Sequence, residues 1–123
     1  MPVPGSVISV IDDDESTLLS LAGLLRSFGF ETRTYGSAEA FIQAGCSEAP
    51  RCIITDIQMP GISGIELKRW LDEQAIPVPV IMITARSEPR LHAQALASGA
   101  VCLLKKPFDS GALLACLRRA DVA

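Results

Sequence analysis

With 123 residues, 49% of them apolar and 20% charged, the chain has the composition of an ordinary globular protein. Its length suits one domain that buries roughly two-thirds of the surface its unfolded form exposes. A formal charge of −3, with no basic run longer than Lys105-Lys106 or Arg118-Arg119, argues against nucleic-acid binding by this stretch of chain. No apolar run approaches the roughly 18 residues of a membrane span, and "MPVPGSV" has neither a basic region nor a long apolar core. These features point to a cytoplasmic protein that does not engage membranes.

Two kinds of segment alternate along the chain. "SVISVI" (6–11) reads as a first strand, followed by the acidic cluster Asp12, Asp13, Asp14 and Glu15. Over 16–28, Leu18, Leu21, Ala22, Leu25 and Phe28 recur at helical spacing, with Gly29 as a C-terminal stop. "ETRTY" (31–35) is a second strand, and Ser37 caps a helix over 37–44. "RCIIT" (51–55) is a third strand that runs into Asp56 and a Met-Pro-Gly turn. Ser63 and Glu66 then have capping-box spacing for a helix over 63–74, with Ile65, Leu67, Trp70 and Leu71 as its apolar positions. "VPVIMIT" (78–84) ends at Thr84, and a helix over 87–98 is expected with Ser87 as cap and Gly99 as stop. "AVCLL" (100–104) leads into "KKPF". A last helix over 109–119 has Asp109 as cap and Leu113, Leu114 and Leu117 facing inward.

Five such βα units joined by short loops predict an α/β fold, a doubly wound parallel sheet with helices on both faces, forming one domain. The cysteines at 46, 52, 102 and 116 show no CxxC pair and have no histidine near them in sequence. In a reducing compartment they read as separate buried or half-buried thiols. The single histidine, His92, reads as a solvated residue on a polar helix face.

In a sheet of this kind ligands bind outside the carboxyl ends of the strands. Those ends carry Asp12 and Asp13, Asp56, Thr84, and Lys105-Lys106-Pro107. Singly, each has an ordinary reading as a helix cap, a turn residue, a β-branched strand residue or a solvated loop residue. Glycine-rich phosphate loops are absent. Jointly they describe chemistry. Carboxylates about 4–5 Å apart repel by roughly 4 kcal/mol at an effective dielectric near 20. A cluster of three therefore calls for a cation or a proton, and hard oxygen ligands with room for water suit Mg²⁺. Lys106 and Thr84 add a cation and a hydroxyl that suit a phosphoryl group, with Asp56 as the carboxylate nucleophile.

The same residues resemble the receiver domains of two-component response regulators. The resemblance runs from "VISVIDDDES" through "ITDIQMPGISGIEL" and "VIMITAR" to "SGAVCLLKKPF", and "SAEAFI" with "DIQMPGISG" looks most like the nitrogen-fixation-regulator branch. It implies a flavodoxin-like receiver fold across residues 1–123, with strand order 2-1-3-4-5 and five helices. It implies that Asp56 accepts a phosphoryl group from a sensor histidine kinase. Asp13 matches a direct Mg²⁺ ligand, Asp12 its partner acting through metal-bound water, and the Gln58 carbonyl the remaining protein ligand. Thr84 matches a switch hydroxyl, and Lys106 matches the phosphate-contacting lysine because it precedes Pro107, a bond often cis in the family. Gln58 and Arg86 match positions that tune acyl-phosphate lifetime. The implied output is a homodimer or partner surface made by the fourth helix, fifth strand and fifth helix. Relatives usually reach DNA through a C-terminal domain, so a transcriptional role is implied, with a stand-alone regulator as the alternative. One departure stands out: the position three before the switch lysine, usually Tyr or Phe, is Leu103. That residue keeps open a degenerate receiver serving as a binding scaffold. A Mg²⁺-dependent phosphatase would need a second acid where Gln58 stands.

Overall fold

The computed structural model of the chain describes residues 7–44 and 50–122. Its strands are β1 (Val7–Ile11), β2 (Glu31–Tyr35), β3 (Cys52–Asp56), β4 (Val80–Thr84) and β5 (Cys102–Lys105). The helices are α1 (Glu15–Ser27), α2 (Ala38–Ala44), α3 (Gly64–Glu73), α4 (Pro89–Ala97) and α5 (Ser110–Arg119). All strand pairs are parallel, in the order β2-β1-β3-β4-β5, as expected.

The period-two alternation of the strands divides the core into two layers. Ile8, Val10, Cys52, Ile54, Ile81 and Ile83 point to one face, where Leu21 and Leu25 of α1 and Leu113 and Leu117 of α5 cover them. Ile11, Ile53, Val80 and Met82 point to the other face, beneath Phe41 of α2, Leu67 and Leu71 of α3 and Ala95 of α4. Every residue of β3 and β4 is buried, which makes these two strands fixed posts at the centre of the sheet. The edge strand β2 is largely exposed, in keeping with its polar sequence.

Local chemistry explains the element boundaries. Asp14 caps α1 by accepting from the Ser16 amide, and Ser63 and Glu66 form the reciprocal capping box of α3. Ser37 accepts from the Ala40 amide at 3.0 Å, and Asp109 caps α5. Gly29 and Gly99 hold the positive φ angles that end α1 and α4. The Lys106–Pro107 bond is cis.

Four expectations need correction. Helix α4 begins one residue later than its sequence suggests, with Glu88 rather than Ser87 at the cap position and no side-chain cap bond, because Pro89 fixes the start of the helix instead. On α5, Leu114 is only half-buried, and Cys116 takes the inward place beside Leu113 and Leu117. Residues 113, 116 and 117 share one helical face; residue 114 is rotated off it. Cys102 and Cys116 are not separate thiols but are disulfide-bonded, their Cα atoms 5.7 Å apart. The α5 helix folds back over β5, and that proximity leaves no mark in a spacing of 14 residues. Cys52 is a buried free thiol, and Cys46 lies outside the described residues. His92, lastly, is not simply solvated, since its Nε2 lies 3.0 Å from the Arg86 carbonyl oxygen.

Two glycines give opposite forecasts. A Cβ on Gly64 would run into the Asp56 carbonyl, whereas Gly23, exposed inside α1, has open space around it. In urea unfolding, Gly64→Ala is expected to destabilise the fold by about 1–3 kcal/mol. Gly23→Ala is expected to stabilise it by about 0.5–1 kcal/mol. Equal effects of the two would contradict the packing described.

Candidate functional site

The carboxyl ends of β1, β3, β4 and β5 converge on one edge, and the residues expected there are brought together. Asp12 follows β1, with its backbone amide donating to the Tyr35 carbonyl and its Oδ1 accepting from the Asp14 amide at 2.9 Å. Asp56 is the last residue of β3 and Thr84 the last of β4. Lys106 immediately follows β5, tied to β4 by a 2.7 Å bond from its amide to the Thr84 carbonyl.

The four-residue acidic run divides by role. Asp14 and Glu15 serve α1, as cap and as first-turn acid. A hydrogen bond from the Thr17 hydroxyl, chiefly, holds the Asp14 carboxyl below its ordinary range. Asp12, Asp13 and Asp56 instead bring carboxylate oxygens within 4.8 Å of one another. Asp12 is fully buried, Asp56 nearly so, and Asp13 exposed.

Lys106 organises this cluster. Its Nζ donates to Asp12 Oδ2 at 2.9 Å and lies 3.5 Å from Asp56 Oδ2. Burial disfavours the ammonium, but the bond to Asp12 and the charges of Asp56 and Asp12 outweigh it and raise the Lys106 pKa. Burial also pushes the Asp56 carboxyl up to about 6, and the Asp12 charge adds to the push; Lys106 and the Gln58 amide offset only part. With every group ionised, three carboxylates and one ammonium leave the cluster at −2. One divalent cation would neutralise that charge, and an all-oxygen donor set open on the exposed Asp13 side fits Mg²⁺.

Thr84 is fully buried, and its Oγ1 accepts from the Arg86 amide at 3.0 Å. The hydroxyl thereby holds the start of the β4–α4 loop, and the contact of His92 with the Arg86 carbonyl ties that loop to α4. Gln58 is exposed in the β3–α3 loop, one side of the cluster. Leu103 is half-buried on β5 and packs on the layer beneath α3 and α4.

Sequence reasoning missed the residue that holds the β3–α3 loop. Glu39, in the first turn of α2, lies against Gly61, where a Cβ would collide with its carboxylate, and its Oε1 accepts from the Ile62 amide at 3.4 Å. Gly61 has φ +79°, and Gly64 donates its amide to the Ile57 carbonyl at 2.9 Å. The loop that carries Gln58 is therefore pinned at its middle and at its end. The only sequence signal was the "SAEAFI" segment as a whole; nothing in spacing shows that Glu39 reaches a loop 23 residues on.

Comparison with known proteins gives a consistent picture. Residues 8–118 match the family described as the response regulator receiver domain. The transcriptional regulatory protein FixJ of Azorhizobium caulinodans is 41% identical over 111 residues, covering 90% of this chain and 53% of that protein. The C4-dicarboxylate transport transcriptional regulatory protein DctD of Pseudomonas aeruginosa is 41% identical over 113 residues, covering 92% of this chain and 24% of that protein. The chain thus spans about half the length of the first of these relatives and about a quarter of the second. Among solved structures, FixJ-N superposes with a TM-score of 0.87 at 32% identity, covering 98% of this chain and 94% of that one. The Vibrio cholerae chemotaxis protein CheY4 gives 0.85 at 26%, covering 94% and 98%.

The raised Asp56 pKa has a consequence for stability. The folded state holds this proton more tightly than an unfolded chain with the ordinary value of 3.8. The stability so gained is complete below pH 3.8 and is lost as pH climbs through about 6. In metal-free buffer near neutral pH, Asp56→Asn is expected to be more stable than the wild type by on the order of 1–3 kcal/mol. The gap should close on acidification to about pH 4 in urea unfolding. A wild type that gains on Asp56→Asn as pH rises would contradict the electrostatic assignment.

Proposed function

The chain belongs to the response regulator receiver domain family of two-component signalling, and on that footing we propose that Asp56 is its phosphoacceptor. The observation that carries this reading is the Lys106 ammonium spanning Asp12 and Asp56 within a three-carboxylate cluster. Asp56 stands at the end of a fully buried strand, so its carboxylate has a fixed position from which to attack phosphorus. The donor in this reading is the phosphohistidine of a sensor histidine kinase, and the product is an acyl phosphate on Asp56.

Asp13, Asp56 and the Gln58 carbonyl would hold Mg²⁺, with Asp12 acting through its bound water. When bound, the ion neutralises the excess charge of the carboxylates and of the incoming phosphoryl group. Asp12 keeps Lys106 in place, and Lys106 offers its ammonium to a phosphoryl oxygen on Asp56. Thr84 keeps its own hydroxyl proton for donation while it accepts from the Arg86 amide. A shift of the Thr84 hydroxyl toward the phosphoryl group would draw on that amide, and through the Arg86 carbonyl on His92 and α4. This route needs no aromatic ring, which suits a chain with Leu103 at the position three before Lys106.

Helix α4 is shallowly seated, with Ala95 its only buried residue and Leu96 54% exposed. That supports the α4-β5-α5 surface as the output face, used for homodimerisation or partner binding. Control of transcription, the role printed in the names of the longer relatives, is the output such a face would serve. No helix among the described residues is long and apolar enough to cross a membrane, which fits action in the cytoplasm.

Incubation with acetyl phosphate and Mg²⁺ should add one phosphoryl group, located at Asp56 by peptide mass spectrometry and absent from Asp56→Asn. Uptake that survives in Asp56→Asn would sink the assignment. With beryllofluoride and Mg²⁺, Thr84→Ala should still bind the mimic but dimerise at least about tenfold more weakly than wild type, a loss near 1.4 kcal/mol. Undiminished dimerisation, measured by sedimentation, would remove Thr84 from the switch.

A further inference from the structure

The bridge between Cys102 and Cys116 plays no part in the phosphotransfer chemistry, yet it encloses the segment that carries Lys106. We propose that Cys102 and Cys116 form a reversible thiol–disulfide site, oxidised by a low-molecular-weight disulfide such as glutathione disulfide, that clamps α5 to β5 around the Lys106 loop.

Three features support it. First, the separation of 5.7 Å between Cα atoms lies within the range a disulfide spans without backbone movement, so the reduced pair is already placed to close. Second, the two sulfurs are unequal. Cys102 is the more exposed of the pair, at 7% against 2%, and the Arg119 guanidinium lies 3.8 Å from its Sγ. Arg119 is itself exposed on the last turn of α5. A fixed cation at the more accessible sulfur favours its thiolate, the form that attacks disulfides. Third, the remaining described thiol, Cys52, is fully buried on the central strand β3 and is not paired, so Cys102 and Cys116 are the two described thiols that the fold sets side by side.

The exchange balances. The Cys102 thiolate attacks one sulfur of glutathione disulfide, forming a mixed disulfide and releasing one glutathione thiolate. The Cys116 thiol then loses its proton and attacks the Cys102 sulfur of that mixed disulfide, releasing the second glutathione. Two protein thiols are oxidised and one glutathione disulfide is reduced to two glutathione thiols. Excess glutathione reverses both steps. The closed loop contains Lys105, Lys106 and Pro107, together with the first turn of α5, so oxidation restrains the chain on both sides of the ammonium that spans Asp12 and Asp56.

The test equilibrates the whole chain, carrying Cys46→Ser and Cys52→Ser so that a single pair of thiols remains, in glutathione buffers of graded ratio. Non-reducing peptide mapping and thermal unfolding are read at each ratio. The expected result is a cross-linked peptide pair lacking two hydrogens, formed in oxidising buffer and lost in reducing buffer. The melting temperature should rise by about 10 °C on closure of a loop of this length. Adding Cys102→Ser or Cys116→Ser should abolish both changes, and amide exchange over 103–115 should slow only in the oxidised pair. Glutathione adducts without the cross-link, free thiols at every ratio, or an unchanged melting temperature would overturn the proposal. All three readouts are independent of phosphorylation, so a failure of the Asp56 reading leaves this test intact.

Discussion

The rest of the site depends on one partly buried ion pair, that of Lys106 with Asp12. Asp12 is fully buried, and an isolated carboxylate there would be costly; the 2.9 Å bond from Lys106 and the amide of Asp14 are what make its charge tolerable. The same lysine is thereby held 3.5 Å from Asp56, too far to neutralise it fully. Burial, chiefly, and the Asp12 charge raise the Asp56 pKa, and Lys106 at this distance offsets only part of that rise. A carboxylate so placed gains from a divalent cation, and under the proposed phosphorylation of Asp56 the ammonium would find a phosphoryl oxygen as its partner. One bond thus both stabilises the resting state and stores the means of leaving it.

The sheet supplies the precision this requires. β3 and β4 are buried on both faces, so Asp56 and Thr84 cannot drift relative to each other. The loops beyond are held selectively. The β3–α3 loop is pinned by Glu39, Gly64 and the α3 capping box, whereas the β4–α4 loop hangs on the Thr84 hydroxyl, an exposed Arg86–Glu88 pair and His92. A firmly pinned β3–α3 side and a lightly held β4–α4 side would suit the proposed switch, which binds in one place and moves in another.

How much of this was legible in the sequence follows from the range of each interaction. The alternation of strand and helix patterns, the caps at Ser37, Ser63 and Asp109 and the stops at Gly29 and Gly99 are local, and all were readable. The meeting of Asp12, Asp13, Asp56, Thr84 and Lys106 was readable too, since the topology of a parallel sheet sends every strand's carboxyl end to one edge. What escaped was contact between elements whose register sequence patterns do not record. Glu39 against Gly61 and Cys102 against Cys116 each join positions through helix docking, and His92 meets Arg86 where the chain turns into α4. Ser87 failed as a cap because Pro89 two residues on sets the helix start by its fixed φ, a stronger local constraint than a capping side chain.

The claim that ties these points together is that Lys106 and Thr84 are poised to converge on whatever is bonded to Asp56. The structure of the chain with Mg²⁺ and beryllofluoride tests it most directly. The account predicts the beryllium on an Asp56 carboxylate oxygen, with Lys106 Nζ and Thr84 Oγ1 both within hydrogen-bond distance of its fluorines. A beryllofluoride group seated elsewhere, or a Lys106 and Thr84 that keep their present partners alone, would contradict it.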